Sequence, residues 1–144
     1  MIAPLYRVSL VRERDVPNPY MHDPESASKL LQDYLRDRDR EYFVVLMLTA
    51  KKEVLGIHDA HVGDLTSCPV VGREVFKAAV ILGACSIILA HNHPSGDPEP
   101  SPEDFEVTAK MIEAGALLGI QVLDHIIVGS RGVHSMRRRN HGVF

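Results

Sequence analysis

Residues 91–104, HNHPSGDPEPSPED, concentrate the side chains that could do chemistry. They follow an apolar run, SIILA, of strand character. Histidines at i and i+2 on an extended backbone point to the same side, so His91 and His93 can share one ion. Pro94, Pro98, Pro100 and Pro102 stiffen the segment, and Gly96 supplies a turn position. The chain then enters a helix whose first turn holds Asp104, which returns a carboxylate towards the imidazoles. Two nitrogen donors and one oxygen donor with a further position open is the pattern of a catalytic zinc site. Each piece also has an ordinary explanation. His-x-His pairs are common on surfaces and in loops. Ser101-Pro102-Glu103-Asp104 is by itself a sound helix start, with Ser101 as N-cap, Pro102 at N1 and Asp104 at N3. The two explanations are compatible, because a helix N-terminus keeps a carboxylate ionised and a metal needs it so.

Asp124 and His125 form a second polar point in an apolar strand. Adjacent strand residues face opposite sides, so only one of them can face the site. That one either orients a metal ligand from behind or is a hydrogen-bonded core polar group or strand-end cap, the plainer reading. His22, His58, His61, His134 and His141 lack partner spacing and are expected on the surface or in loops. Residues 137–139, three arginines, are the only basic cluster. They are expected as a solvated tail, with a nucleic-acid phosphate or an acidic partner as the alternative.

These groups need elements to carry them. Residues 6–11 suggest an N-terminal strand, and 16–24 a connector. Asp23 can cap a first helix, with Pro24 at its first position; Ala27, Leu30, Leu31, Tyr34 and Leu35 recur along it at helical spacing. Residues 36–40 alternate in charge and suit a solvated helix end. Residues 42–48 suggest a buried strand and 53–60 a second one after the Lys51-Lys52 turn. A helix over 70–82 puts Val71, Val75, Ala78, Ala79 and Leu82 on one face and stops at Gly83. Then come a short buried strand at 86–90, the loop at 91–100, a helix at 102–118 ended by Gly119, a buried strand at 121–128 and a short last strand at 132–136. Strands alternating with helices predict an α/β sheet covered on both faces.

The chain has 144 residues, 45% hydrophobic and 24% charged, enough for one self-sufficient domain over 1–144. Its formal net charge of -3 argues against general nucleic-acid binding. Two cysteines, Cys68 and Cys85, lack C-x-x-C spacing. They are expected as small buried hydrophobes in a reducing, cytoplasmic compartment. Arg7, Arg12 and Arg14 near the start, without an apolar core region, do not make a signal peptide. The most apolar stretch, 78–90, is too short for a membrane span.

His91, His93, Ser101 and Asp104, in the order His-x-His, seven residues, Ser-x-x-Asp, resemble the JAMM metalloprotease motif of JAB/MPN+ domains. The wording HNHPSGDPEPSPED, with LDHIIVG at 123–129, resembles the RadC family, and the likeness runs from about residue 6 to residue 136. It implies a JAB/MPN-like α/β fold of cytidine-deaminase-like architecture, a single mixed sheet flanked by helices. It implies Zn2+ on His91, His93 and Asp104, with Ser101 stabilising an oxyanion. It also implies a glutamate at the start of a buried strand as general base. Glu41, just before YFVVL, matches that placement; otherwise it is the exposed last charge of its run. Glu74 is the competitor, expected on a solvated helix face. The implied activity is zinc-dependent hydrolysis of a peptide or isopeptide bond in a peptide or protein substrate. The alternative is a non-catalytic interaction or DNA-repair accessory module that retains the metal site, although no groove-reading helix or stacking platform is visible. Deamination fits least, since zinc deaminases use cysteine-rich ligand sets with a glutamate beside the first ligand. Family members usually carry an additional N-terminal helical region, which is not expected in this sequence. Asp64 stands where the family usually has threonine, and Gly72 where it often has proline. No pattern specifies an oligomeric state.

Overall fold

A computed structural model of the chain describes residues 2–15, 24–64, 69–139 and 142–144. In chain order, α1 spans Pro24–Leu35, β1 Tyr42–Leu48, β2 Val54–Val62, α2 Gly72–Leu82, β3 Ser86–Asn92, α3 Pro102–Leu118, β4 Gln121–Gly129 and β5 Gly132–Ser135. The strands form one mixed sheet in the order β2-β1-β3-β4-β5. β3 and β4 are parallel and joined through α3; the other neighbouring pairs are antiparallel. This is the mixed sheet flanked by helices that the sequence implied.

β1 and β3 lie inside the sheet and are buried along nearly their whole length. Strands covered on both faces need apolar residues on both, which is why YFVVLML and SIILA show no alternation. On one face Phe43, Val45, Ile87 and Leu89 pack with Val75 and Phe76 of α2 and Met111 of α3. On the other, Leu30, Leu31 and Leu35 of α1 cover Val44, Leu46, Ile88 and Ile126. The ligand-bearing end of β3 is therefore held between two independent cores.

α3 begins at a complete capping box: the Ser101 side chain accepts from the Asp104 N–H, and Asp104 accepts from the Ser101 N–H. Pro102 occupies N1, and Gly119 ends the helix in the left-handed conformation at φ 72°. Asp104, Thr108, Met111 and Gly115 share its buried face at helical spacing.

In β4 the register to β3 shifts between the pairs Ile87–Val122 and Ile88–Asp124, which leaves Leu123 as an extra residue. The bulge resets the alternation: Val122 belongs to the α2/α3 core, and His125 then turns to that same side, against Phe43 and Thr108.

Several expectations differ. Residues 6–11 form no strand; they are exposed and join no ladder among the described residues, and a segment without a ladder leaves its backbone bonds to water. β2 runs to Val62, and β3 runs through His91 and Asn92, because its ladder to β1 and β4 continues to that point. On α2, Phe76 is buried and Leu82 is 41% exposed, so the buried stripe is shifted. Cys85 is exposed, against the expectation of burial. His134 is buried on β5, with Nδ1 3.5 Å from a Glu99 carboxylate oxygen, and so is not a surface histidine. Asp23, Cys68, His22 and His141 lie outside the described residues. Among the described residues, no helix is long and apolar enough to cross a membrane.

Candidate metal centre

The pairing of β1 with β3 sets Phe43 opposite His91. His91 is 1% exposed, its ring stacked on Phe43 at 6.0 Å between centroids. The next strand residue, Asn92, turns the other way. Its side chain accepts from the Tyr42 N–H at 2.7 Å and donates to the Arg40 carbonyl at 2.9 Å, which clamps the end of β3 to the start of β1. His93 follows just past the strand, on the same side as His91. Its N–H donates to the Val128 carbonyl at 2.8 Å, so the segment leaves the sheet tied to β4.

His91 Nε2 and His93 Nε2 lie 2.9 Å apart. Asp104 places one carboxylate oxygen 3.2 Å from each of them, Oδ1 on His91 and Oδ2 on His93. One ligand atom from each of the three residues falls within a 4.8 Å group. Tetrahedral donors about 2.0–2.1 Å from a shared ion stand roughly 3.3 Å from one another; the two imidazole nitrogens, and each imidazole nitrogen with its nearer carboxylate oxygen, are close to that spacing. The donor chemistry fits as well. His93 Nδ1 is 2.8 Å from the Asp97 carbonyl, which can only accept. Nδ1 therefore carries the hydrogen, and the Nε2 of the neutral ring presents a lone pair. A lone pair facing a carboxylate and a second imidazole is an arrangement that a cation satisfies. The three residues that the sequence nominated as ligands can hold a metal ion.

Electrostatics agree. Burial raises the Asp104 carboxyl, but its contacts with His91 and His93, in which an imidazole proton takes the place a cation would fill, together with the Ser101 N–H, lower it by more, and the net position is well below the ordinary carboxylate range. His93 is raised, first by its bond to Asp104 and, among smaller contributions, by the field of Glu41.

A family model described as a RadC-like JAB domain matches residues 21–142. The chain belongs to the RadC-like JAB family. It is similar to the UPF0758 protein of Moorella thermoacetica, 48% identical over 120 residues, covering 83% of this chain and 52% of that protein. It is 47% identical to the UPF0758 protein of Rubrobacter xylanophilus over 130 residues, 90% of this chain and 56% of that one. With the UPF0758 protein of Desulforudis audaxviator it shares 46% over 119 residues, 83% and 52% of the two chains. The chain spans about half the length of these curated relatives.

Within this JAB domain the remaining candidates separate. Ser101 is the N-cap; its Oγ accepts from the Asp104 N–H at 3.2 Å, which leaves the hydroxyl hydrogen free to donate. Glu41 directly precedes β1. Continuing the β1–β3 register by two residues sets it across from His93, which is why its charge is felt there. Glu74 is on the outer side of α2, bonded to Lys77 at 2.6 Å, with its carboxyl lowered chiefly by that lysine. The polar pair on β4 splits between faces. Asp124 accepts from Ser135 Oγ at 2.5 Å and from the Arg137 N–H at 3.0 Å, organising the turn after β5. His125 is fully buried, with Nε2 2.8 Å from His91 Nδ1 and Nδ1 2.6 Å from Thr108 Oγ1. Burial, and then the proximity of His91, hold His125 well below the usual histidine range. Thr108 went unnoticed in the sequence; its signal was its position one helical turn after Asp104 on the buried face. A cleft of about 530 Å3 between the end of α1 and the β4–β5 turn has His93 and Pro94 in its wall.

Proposed function

We propose that this JAB domain is a zinc-dependent hydrolase of amide bonds, a peptidase or isopeptidase acting on a peptide or protein. The observation that carries the reading is the convergence of His91, His93 and Asp104 at 2.9–3.2 Å, with Glu41 and Ser101 brought to the same end of the sheet. His91, His93 and Asp104 would hold a zinc ion, which when bound would supply a water with its pKa lowered towards ~7 and a Lewis acid for the carbonyl oxygen. Glu41 takes the proton of the attacking water and passes it to the departing amine, a role that contributes roughly 10²–10⁴ in rate. The Ser101 hydroxyl donates to the oxygen on which negative charge develops, worth roughly 3–4 kcal/mol for one well-placed donor. The capping box fixes Ser101 for that task before substrate arrives.

The test is metal analysis followed by cleavage of a peptide library. About one zinc per chain is expected, with cleavage abolished by a chelator and restored by zinc. Glu41→Gln keeps the metal and loses at least 10²-fold in rate. Cleavage that survives chelation, or a Glu41→Gln variant with the wild-type rate, would refute the reading.

A further inference from the structure

The side chains behind His91 form a closed path that begins and ends on Asp104. Thr108 Oγ1 lies 2.6 Å from the main-chain carbonyl of Asp104 and 2.6 Å from His125 Nδ1. His125 Nε2 lies 2.8 Å from His91 Nδ1. His91 Nε2 lies 3.2 Å from Asp104 Oδ1. We propose that Thr108 and His125 are positioning residues of the metal centre, a one-way hydrogen-bond relay that locks His91 into the tautomer whose Nε2 is bare.

The direction follows from the ends of the path. A peptide carbonyl can only accept, so the single hydroxyl hydrogen of Thr108 goes to the Asp104 oxygen. The hydroxyl oxygen then has to accept from His125, which puts the hydrogen of that ring on Nδ1. His125 is 0% exposed, with its ring edge-on to Phe43 at 5.5 Å. A neutral ring that donates from Nδ1 offers a lone pair at Nε2, and His91 Nδ1 must therefore donate to it. The last consequence is at the metal position: His91 Nε2 faces His93 and Asp104 without a hydrogen. In the reverse arrangement His91 would carry its hydrogen on Nε2, aimed at Asp104, where it blocks a cation. The main-chain carbonyl of Asp104 thus sets the tautomer of the ligand that shares an ion with the Asp104 side chain. Such partners behind a metal-bound histidine typically alter metal affinity about 10–100-fold.

The inference rests on the metal-binding half of the proposed function and on none of its hydrolytic steps. Its test is zinc affinity, measured by competition with a chromophoric chelator. Wild type is compared with Thr108→Val, His125→Leu and His125→Gln, with circular dichroism as the check on folding. Thr108→Val and His125→Leu are expected to bind zinc at least about tenfold more weakly. His125→Gln keeps an acceptor towards His91 and a donor towards Thr108, and is expected to bind at least about tenfold more tightly than His125→Leu. Folded Thr108→Val and His125→Leu proteins within about twofold of wild type would overturn the relay. Long-range 1H–15N correlation spectra of the wild-type imidazoles decide the matter if the variants do not fold. The hydrogen of His125 on Nδ1 and that of His91 on Nδ1 support the relay, and the opposite tautomers overturn it. Wild-type protein that takes up no zinc would remove the metal reading, and the tautomers would still judge the relay.

Discussion

Gly129→Ala should damage the metal centre from the opposite side of a backbone contact. Gly129 ends β4, where that strand passes beneath the loop that follows His93. A Cβ placed on Gly129 would stand 2.3 Å from the carbonyl oxygen of Gly96, 2.7 Å from its carbon and 3.2 Å from the Pro98 nitrogen. An ordinary carbon–oxygen contact is about 3.3 Å, so the loop must retreat by about 1 Å. The atoms in the way are all backbone, and no flexible side-chain end can yield instead. β4 cannot move, because it is laddered to β3 and β5. Retreat of the loop loosens the 3.0 Å bond from the Arg131 N–H to the Gly96 carbonyl, worth roughly 1 kcal/mol. Overpacking strain adds about 1–3 kcal/mol. The expected destabilisation of metal-free protein is therefore about 2–4 kcal/mol, roughly 6–12 °C in Tm at this size. The same retreat carries Asp97, whose carbonyl orients His93. Misplacement of a positioned group by about 1 Å costs on the order of 10²-fold, and zinc affinity should fall by that order. Gly119→Ala is the control: unlike Gly129, Gly119 is in the left-handed region, at φ 72°, but its Cβ meets nothing within 4 Å. It should cost about 1–2 kcal/mol and leave zinc affinity unchanged. Thermal melts of the metal-free proteins and chelator competition read both quantities. A Gly129→Ala protein with the melting temperature and zinc affinity of wild type would refute this account of how the loop is held.

Three further outcomes are expected. Glu74→Gln should leave the rate of cleavage within about twofold of wild type, because its carboxylate is paired with Lys77 on the outer side of α2; a loss comparable to that of Glu41→Gln would transfer the general-base role to it. Free zinc at 100 times its Kd should stabilise the protein by about 2.7 kcal/mol, roughly 8 °C in Tm, and chelator should reverse it; melts unchanged by zinc would argue against a preformed site. Tyr34 should titrate late: burial first, and then its 2.7 Å bond to Asp59, push the phenol up to about 12. A raised phenol means the fold favours the neutral form, so this contribution is complete below pH ~10 and is lost as pH climbs from about 10 to about 12. Absorbance at the tyrosinate band should contain one late transition that is missing in Tyr34→Phe, and a Tyr34→Phe curve identical to wild type would count against the burial and bond assigned to Tyr34.

What was legible in the sequence was local. Pro102 and Gly119 mark the ends of α3 because each acts through its own backbone, and the period-two placement of His91 and His93 needs only an extended chain. Less legible was whatever depended on a partner strand. Nothing in SIILAHN marks how far the ladder extends, so His91 was expected in a loop although it is the penultimate residue of β3. Glu41 could be matched to a family motif, but its place across from His93 is a property of the β1–β3 register, between segments far apart in sequence. The choice between Asp124 and His125 is the sharpest case. Alternation from Val122 would have turned Asp124 to the α3 side. The bulge at Leu123 reverses that, and a bulge is set by pairing with β3 that the QVLDH segment alone does not show. The exposed residues 6–11 make the converse point, since a strand-like segment that finds no ladder among the described residues forms no strand.

Asp104 explains why so small a fold can hold such a centre in shape. A carboxylate that must also face two imidazoles would ordinarily swing away to water, and its burial alone disfavours the charge. Here the capping box holds one end of the group: the Ser101 N–H donates to Oδ2 at 2.8 Å, and the N-terminus of α3 supplies favourable potential. The imidazoles are held just as independently, His91 within a three-strand ladder and against Phe43, His93 by the Val128 and Asp97 carbonyls. Apart from Asp104 Oδ2, which both accepts from the Ser101 N–H and faces His93, these restraints act on atoms other than those that face the ion position. The lone-pair groups are therefore brought within 3.2 Å by packing on both faces of the sheet, not by attraction among themselves. A cation entering such a site meets donors already in place, and little of its binding free energy is spent on ordering the chain.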